Sequence, residues 1–229
     1  TRRFAEKLPF SLTASQRQVI AEIQQDLTKP FPMQRLLQGD VGSGKTVVAA
    51  MTALAAIDNG FQAAMMAPTE ILAEQHYQRL ADWMEPLGVP VVWMSGSMKK
   101  KEKEDALSAI ESGRARFVVG THALIQETVR FAALGLVIVD EQHRFGVSQR
   151  LVLRSKGEVN TFLPHQLMMS ATPIPRTLAM TFYADLDVSV IAELPPGRQP
   201  VVTRLIAQER RDEVIERIRA AVEGGRQVY

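Results

Sequence analysis

The chain has 229 residues, 46% of them hydrophobic, and its 27 Lys and Arg against 25 Asp and Glu leave a formal charge of +2. This length and composition are typical of one large α/β domain with room for part of a second, and the near-neutral charge means that any nucleic-acid contact must come from locally placed groups. The absence of cysteine excludes disulfides, cysteine-type zinc sites and a cysteine nucleophile, which is compatible with a cytoplasmic protein, and no apolar run reaches membrane-spanning length, so we expect no membrane partner.

The first predicted element is a helix that starts after Thr13. Thr13 and Gln16 have the spacing of a capping box, in which each side chain bonds the backbone of the other residue. The apolar residues on one face of this helix, which ends at Pro30, are Val19, Ile20, Ile23 and Leu27.

A glycine-rich segment follows, between a predicted strand at residues 33–38 and a predicted helix at residues 47–57. Its glycines allow backbone N–H groups to point inward as an anion nest, at the positive end of the helix dipole. Lys45 would contact the β- and γ-phosphates of a nucleotide, and the Thr46 hydroxyl would ligate Mg2+. The predicted nucleotide-binding residues are Gly39, Asp40, Val41, Gly42, Ser43, Gly44, Lys45 and Thr46. A chance match is the alternative, and the flanking strand and helix weigh against it.

Apolar runs alternate with helical patterns in the rest of the chain. Strands are predicted at residues 61–67, 89–94, 117–120, 136–139 and 166–169, and helices at residues 70–84 and 101–110. This alternation indicates an α/β fold with a mainly parallel sheet covered by helices on both faces. Ligands of such folds bind at the carboxyl ends of the strands, which is where the candidate site residues fall.

An acidic pair, Asp140 and Glu141, follows the buried run at residues 136–139. Asp140 is predicted to hold Mg2+ through water, and Glu141 to activate the water that attacks the γ-phosphate. Such a pair by itself more often caps a turn. Beside a phosphate loop it favours hydrolysis, because a module that only binds nucleotide needs no water-positioning carboxylate. The predicted catalytic residues are Lys45, Asp140 and Glu141, and the predicted metal ligands are Thr46 and Asp140.

The strongest break in the chain is rich in proline and glycine, at residues 193–200. We interpret it as a linker between a first domain at residues 1–192 and the truncated start of a second at residues 201–229. That last part shows a strand-like run at residues 201–206, an amphipathic helix, and a new strand from residue 226. Because the chain lacks an initiator Met and stops in a predicted strand, we expect it to be a segment of a longer protein.

Three segments match, in order, the first three motifs of superfamily 2 helicases: Gly39–Thr46, Asp140–His143 and Ser170–Thr172. Longer strings at residues 67–73, 120–126 and 140–150 resemble the first motor lobe of RecG-type DNA translocases, and the resemblance covers nearly all of residues 8–206. It implies a RecA-like P-loop lobe that uses ATP and Mg2+, a second motor lobe in the same chain, and DNA as partner, as branched or forked duplexes in repair and recombination. Transcription-repair coupling factors share much of the pattern but typically have Glu in place of Gln142.

The resemblance also implies roles for single residues around the nucleotide. Gln16 matches the glutamine motif that reads adenine, and its capping-box role can hold at the same time. Phe10 or Arg17 would stack on the base, with an ordinary core or surface role as the alternative.

Two segments resemble those that grip the nucleic-acid backbone. They contain Pro68 and Thr69, and Gly120, Thr121 and His122; taken alone, they are a helix cap and a plain turn. We interpret the lysine-rich run at residues 99–104 as a solvated helix face, because adjacent acids nearly cancel its charge.

The resemblance implies a coupling set that links the nucleotide to the second lobe. His143 would bond a neighbouring strand end, and Arg176 either faces the interlobe cleft or is a surface residue. The strand end itself contributes Ser170, Ala171 and Thr172. The other histidines, His76, His122 and His165, lack metal-ligand spacing and are interpreted as structural or phosphate-facing.

The sequence therefore predicts an ATP-dependent DNA helicase or translocase motor lobe. Two alternatives stay open. One is the same motor in a transcription-repair coupling factor or an RNA-directed helicase, and the other is a nucleotide-binding module without hydrolysis.

Overall fold

The computed structural model describes residues 2–141, 163–172, 186–193 and 201–228. The chain divides into two compact units, residues 1–195 and residues 196–229. The helices of the first unit are α1 (Arg2–Lys7), α2 (Ala14–Leu27), α3 (Lys45–Asp58), α4 (Glu70–Met84) and α5 (Lys100–Glu111). Its strands are β1 (Gln34–Gly39), β2 (Gln62–Met66), β3 (Val91–Met94), β4 (Phe117–Gly120), β5 (Leu134–Val139), β6 (His165–Ser170) and β7 (Asp187–Ile191). The second unit contains α6 (Arg211–Glu223).

The strands form one seven-stranded sheet in the order β3-β4-β2-β5-β6-β1-β7. Every pairing in it is parallel, so all the carboxyl ends lie at the same edge. The order puts β5 and β6 between β1 and β2. The segments that follow β5 and β6 therefore emerge between the glycine-rich loop after β1 and the start of α4 after β2.

The centre of the sheet is buried on both faces because strands such as β2, β4 and β5 have continuous apolar runs rather than alternating ones. In β2, Ala63 and Met65 belong to one hydrophobic cluster and Ala64 and Met66 to the other, following the two-residue period of a strand. Helices α1 to α4 pack on the first cluster, while α5 and the turn after β4 pack on the second. The predicted fold, a parallel sheet with helices on both faces, is confirmed.

Local signals account for the helix starts. Thr13 accepts from the Gln16 amide at 3.2 Å, and Gln16 Oε1 accepts from the Thr13 amide at 2.9 Å, so the predicted capping box is present. Thr69 caps α4 with a single bond, in which its side chain accepts from the Leu72 amide at 3.3 Å. The predicted helix at residues 70–84 has the observed bounds of α4.

Two predictions about the second unit were wrong, and two elements of the first were missed. Residues 201–206 and 226–228 form no strand. A strand needs a neighbour for its backbone hydrogen bonds, and residues 201–206 are exposed with no such neighbour among the described residues. The predicted helix between them is present as α6. The missed elements are α1 and β7, a helix of six residues and an edge strand of five.

Candidate nucleotide site and nucleic-acid edge

The glycine-rich loop joins β1 to α3 through a turn that only glycine tolerates at its critical positions. Gly42 and Gly44 have φ values of 80° and 88°, in the left-handed region. Gly44 is the N-cap of α3, and a Cβ there would collide with the side-chain amide of Gln16. At the start of the loop, a Cβ on Gly39 would collide with the Ser43 hydroxyl. Both ends of the loop are therefore close-packed on polar side chains.

Backbone donors converge where this loop meets the helix. Val47 is the first residue of α3 to donate along the helix, to the Gly44 carbonyl at 3.1 Å. The amides of Lys45 and Thr46 precede this ladder, where the first amides of a helix have no acceptor within the helix. The buried Ser43 hydroxyl has no hydrogen-bond partner among the described residues. This combination of amides at the helix start and an unsatisfied hydroxyl fits a polyphosphate.

Asp40 and Val41 form the outer turn of the loop. The Val41 amide donates to Asp40 Oδ1 at 2.7 Å, while the Val41 side chain is exposed. Asp40 thereby stabilises the turn.

Lys45 is the first residue of α3, and its side-chain amine points back to the loop. Its amine donates to the carbonyl oxygens of Gly39 and Asp40, at 2.6 and 3.1 Å. Burial lowers the pKa of this amine, and the nearby carboxylates of Asp140, Glu141 and Asp40 offset part of that effect. The Lys45 amine thus shares one electrostatic environment with the acidic pair.

Asp140 follows directly on β5, is buried, and is held through its backbone and both carboxylate oxygens. Its amide donates to the Met66 carbonyl at 2.9 Å, at the end of β2. Oδ1 accepts from the Glu141 amide at 3.0 Å, and Oδ2 lies 2.6 Å from Nε2 of His76 on α4. His76 was predicted to be structural or phosphate-facing, and its contact with Asp140 was not predicted.

Glu141 has a φ of 50°, and it is the only described non-glycine residue with positive φ. A glutamate in this region costs of order 1–3 kcal/mol, and such strain concentrates at functional sites. The conformation supports a functional role for this carboxylate rather than a role in capping alone.

Residues of the glycine-rich loop, Lys45 and the acidic pair line one cavity of about 360 Å³. The predicted residues that line it are Val41, Gly42, Gly44, Lys45, Thr46, Asp140, Glu141 and Ala171. Phe10 lines it too, with Arg79 and Trp83 from α4, and the Phe10 and Trp83 rings meet edge to face with centroids 6.4 Å apart. Arg79 and Trp83 were not predicted as site residues. They follow His76 by three and seven positions, so all three residues lie on one face of α4. That helical spacing is the sequence signal from which they could have been predicted.

Gln16 joins the capping box to the loop. It is buried, and its Nε2 donates to the Ser43 carbonyl at 2.8 Å while its Oε1 accepts from Thr13. The capping role is confirmed, and adenine recognition by Gln16 stays a prediction. The guanidinium of Arg17 donates to the Leu12 carbonyl, and Arg17 is not among the residues that line the cavity.

The predicted nucleic-acid segments lie side by side at the same edge of the sheet. The Ala67 amide, just before Pro68, donates to the Gly120 carbonyl at 3.0 Å. Thr69 and His122 are exposed, whereas Thr121 is buried and its hydroxyl accepts from the Ala123 amide. Direct contact with a ligand at this edge is therefore open to Thr69 and His122, while Gly120 and Thr121 shape the turn.

The profile of the DEAD/DEAH box helicase family matches residues 13–181. The chain belongs to the DEAD/DEAH box helicase family. It is 58% identical over 228 residues to the ATP-dependent DNA helicase RecG of Haemophilus influenzae, covering 99% of this chain and 33% of that protein. It is 57% identical over 223 residues to the Escherichia coli K12 protein of the same name, covering 97% of this chain and 32% of that one. The chain thus spans about a third of the length of the relatives it matches.

Solved structures agree with this membership. A structure of RecG bound to a three-way DNA junction matches with a TM-score of 0.84 and 47% identity, over 98% of this chain and 30% of that one. The UvsW helicase from bacteriophage T4 matches with a TM-score of 0.60 and 18% identity, over 82% of this chain and 66% of that one. The second match shows the shared fold alone.

Of the predicted coupling set of this DEAD/DEAH box helicase chain, the structure describes Ser170, Ala171 and Thr172. Ser170 is buried, its hydroxyl lies 2.9 Å from the Thr172 hydroxyl, and it accepts from the Thr172 amide at 3.2 Å. His143 and Arg176 lie outside the described residues. His165 has the predicted structural role: its Nδ1 accepts from the Met33 amide at 2.9 Å, and burial lowers its pKa, with Asp26 partly opposing.

In the described part of this helicase chain, no three His, Cys, Asp or Glu side chains are grouped as a metal site. A Mg2+ site of the predicted kind needs no such group, because the ion is held by one or two protein oxygens together with substrate phosphates. No helix within the described ranges has the length and apolarity to cross a bilayer.

Proposed function

We propose that this chain is the first motor lobe of an ATP-driven DNA helicase or translocase that acts on branched duplexes. The observation that carries the proposal is the convergence of the phosphate-cradling loop, Lys45 and the acidic pair Asp140 and Glu141 around one cavity at the carboxyl edge of the sheet. A nucleotide-binding module without hydrolysis would not need a strained glutamate beside that cavity.

Each residue has a role that its position supports. The loop amides and Lys45 bind the phosphates, and Thr46 and Asp140 hold Mg2+, Asp140 through water. Glu141 orients the attacking water and accepts its proton. When bound, Mg2+ supplies charge neutralisation at the phosphate oxygens. The edge formed by Pro68, Thr69 and the turn after Gly120 would contact nucleic-acid phosphates, which carry no sequence information.

The rest of the active site would come from a second lobe, which we propose lies downstream in the same protein. In P-loop motors, an arginine supplied from a neighbouring element stabilises the transition state. The relatives are about three times as long as this chain, which leaves room for such a lobe and for domains that select forks or junctions.

Nucleic-acid specificity separates this proposal from a transcription-repair or RNA-directed motor. In the full-length protein, we expect three-way-junction DNA to stimulate ATP turnover more than linear duplex DNA, and single-stranded RNA to stimulate it least. The matched control is the Lys45→Ala protein, which should show no turnover with any of the three. Strongest stimulation by RNA would overturn the DNA assignment, and turnover independent of nucleic acid would overturn the motor assignment.

A further inference from the structure

Helix α4 spans both parts of the candidate site. Its N-cap Thr69 is exposed at the nucleic-acid edge, and seven residues later His76 reaches the acid that ends β5. At 1.5 Å per residue, these two points are roughly 10 Å apart along one rigid helix.

The contact between His76 and Asp140 is short and shielded from solvent. Nε2 of His76 lies 2.6 Å from Asp140 Oδ2, and the two side chains are 14% and 11% exposed. The other carboxylate oxygen accepts from the Glu141 amide at 3.0 Å. His76 is therefore the side chain that holds Oδ2 of Asp140. Without His76, the Asp140 carboxylate could rotate about its Cβ–Cγ bond.

We propose that His76 is a positioning residue for Asp140, through which α4 connects the nucleic-acid edge to the metal-binding carboxylate. This inference rests on the proposed function, because it assigns Asp140 to Mg2+. Partners that orient a direct metal ligand contribute about 10- to 100-fold to metal affinity, and because Asp140 acts through water in the proposed site, we expect the contribution of His76 at the lower end of that range. If nucleic-acid binding displaced the N-terminal end of α4, the hydrogen bond between His76 and Asp140 would transmit that displacement to the carboxylate.

The first measurement is the affinity of the full-length protein for a fluorescent ADP analogue, titrated with Mg2+. We expect His76→Leu and His76→Asn, which lose the donor or its reach, to require about tenfold more Mg2+ for half-maximal tightening of binding. His76→Gln keeps an N–H donor at similar reach and should stay within about twofold of the parent. In EDTA, the affinity for the ADP analogue should be the same in the parent protein and in all of these variants. Gln78→Ala, an exposed change two residues along α4, is the matched control.

The second measurement is the ratio of turnover with junction DNA to turnover without it. We expect His76→Asn to lower this ratio and His76→Gln to restore it. Denaturant midpoints show which variants are folded, and His76→Asn keeps the test usable if His76→Leu does not fold.

An unchanged Mg2+ requirement in folded His76→Asn would overturn the inference. So would an equal defect in His76→Gln and His76→Asn, because ring packing rather than the hydrogen bond would then be responsible. If the parent protein itself binds nucleotide without any Mg2+ dependence, the proposed function fails instead, and the two failures are thereby distinguished.

Discussion

At the scale of single residues, the loop after β1 combines one cation with backbone donors. The Lys45 amine is held by two carbonyl oxygens of its own loop, and burial lowers its pKa. Because the Lys45 amine is already held near the start of α3, it has to move little to contact a bound phosphate. Glycine is favoured around it because Gly42 and Gly44 have positive φ, and because a Cβ on Gly44 would also collide with the side-chain amide of Gln16.

The first prediction concerns Lys45. Lys45→Ala should weaken ADP binding by about tenfold or more, because it removes a charge-assisted contact to phosphate. Isothermal titration calorimetry measures this directly. Lys101→Ala, an exposed change on α5, is the control and should leave the affinity as it was. Equal affinity in Lys45→Ala and the parent would show that the loop is not the phosphate site.

The second prediction concerns Glu141. Glu141→Gln in the full-length protein should keep ATP bound but slow hydrolysis by about 10²- to 10⁴-fold, because the amide retains the shape of the carboxylate but cannot accept the proton of water. Single-turnover hydrolysis alongside equilibrium ATP binding separates the two effects. Hydrolysis at the parental rate would assign the water-positioning role to another residue.

At the scale of elements, a buried ionic network joins α2, β1 and the edge strand β7. Arg35 on β1 contacts Asp26 at 2.6 Å and donates to the Ser189 hydroxyl at 2.7 Å. Lys29 pairs with the same carboxylate at 2.7 Å. Burial raises the pKa of Asp26, but the hydrogen bonds and charges of Lys29 and Arg35 outweigh it, so the pKa lies below its ordinary value.

The third prediction follows from this network. Asp26→Asn should lower the free energy of unfolding at pH 7 by about 1–3 kcal/mol, because it removes the nearest carboxylate of the buried Arg35. Arg35 then keeps the more distant carboxylates of Glu22 and Asp187, at 3.6 and 3.8 Å. Since the folded-state pKa of Asp26 is lowered, its contribution is complete above the ordinary value of 3.8 and is lost as pH falls below it.

Urea unfolding at several pH values measures this contribution. The difference between parent and Asp26→Asn should stay constant from neutral pH down to mildly acidic pH and narrow only below about pH 4. Asp105→Asn, on an exposed position of α5, is the control for loss of a carboxylate. A difference that narrows between pH 7 and pH 5 would contradict the assignment to Asp26.

The fourth prediction concerns the strand end that shapes the nucleic-acid edge. A Cβ on Gly120 would collide with the backbone carbonyl of Met94 on the neighbouring strand, and the site is buried. Gly120→Ala should therefore destabilise the protein by about 1–3 kcal/mol. Gly96→Ala, where a Cβ meets nothing within 4 Å, is the control. Equal denaturant midpoints for the two variants would show that the close approach of β4 to β3 is not rigid.

At the scale of the whole molecule, the proposed function assigns to this chain one side of a motor active site. Its first unit contains the phosphate loop and the acidic pair, and within the described part of the second unit α6 is the only α-helix. The relatives are about three times as long. In the proposed function, the transition-state arginine is supplied by a second lobe.

The fifth prediction is that the 229-residue chain binds nucleotide but turns over ATP very slowly, even with DNA present. An arginine supplied to the transition state contributes about 10³ to 10⁵ in rate, so its absence outweighs an intact Lys45 and Glu141. Continuing the chain through a second lobe should restore DNA-stimulated turnover in a steady-state phosphate-release assay. Rapid hydrolysis by the shorter chain, abolished by Lys45→Ala, would show that this lobe has a complete active site.

The sequence by itself determined those features that depend on near neighbours in the chain. The loop at residues 39–46, the capping box of Thr13 and Gln16, and the bounds of α4 and β4 all follow from turn, cap and periodicity signals within a few residues. The parallel sheet followed from continuous apolar strands that alternate with helices. The resemblance to helicases rested on motifs of this local kind.

Only the tertiary structure decided which distant side chains share the site. His76 and Asp140 are 64 positions apart and meet because β5 lies beside β2, an order that no local pattern specifies. The same holds for Arg79 and Trp83, which line the cavity. Conversely, residues 201–206 have a strand-like pattern but form no strand, because a strand exists only where a neighbour completes its hydrogen bonds.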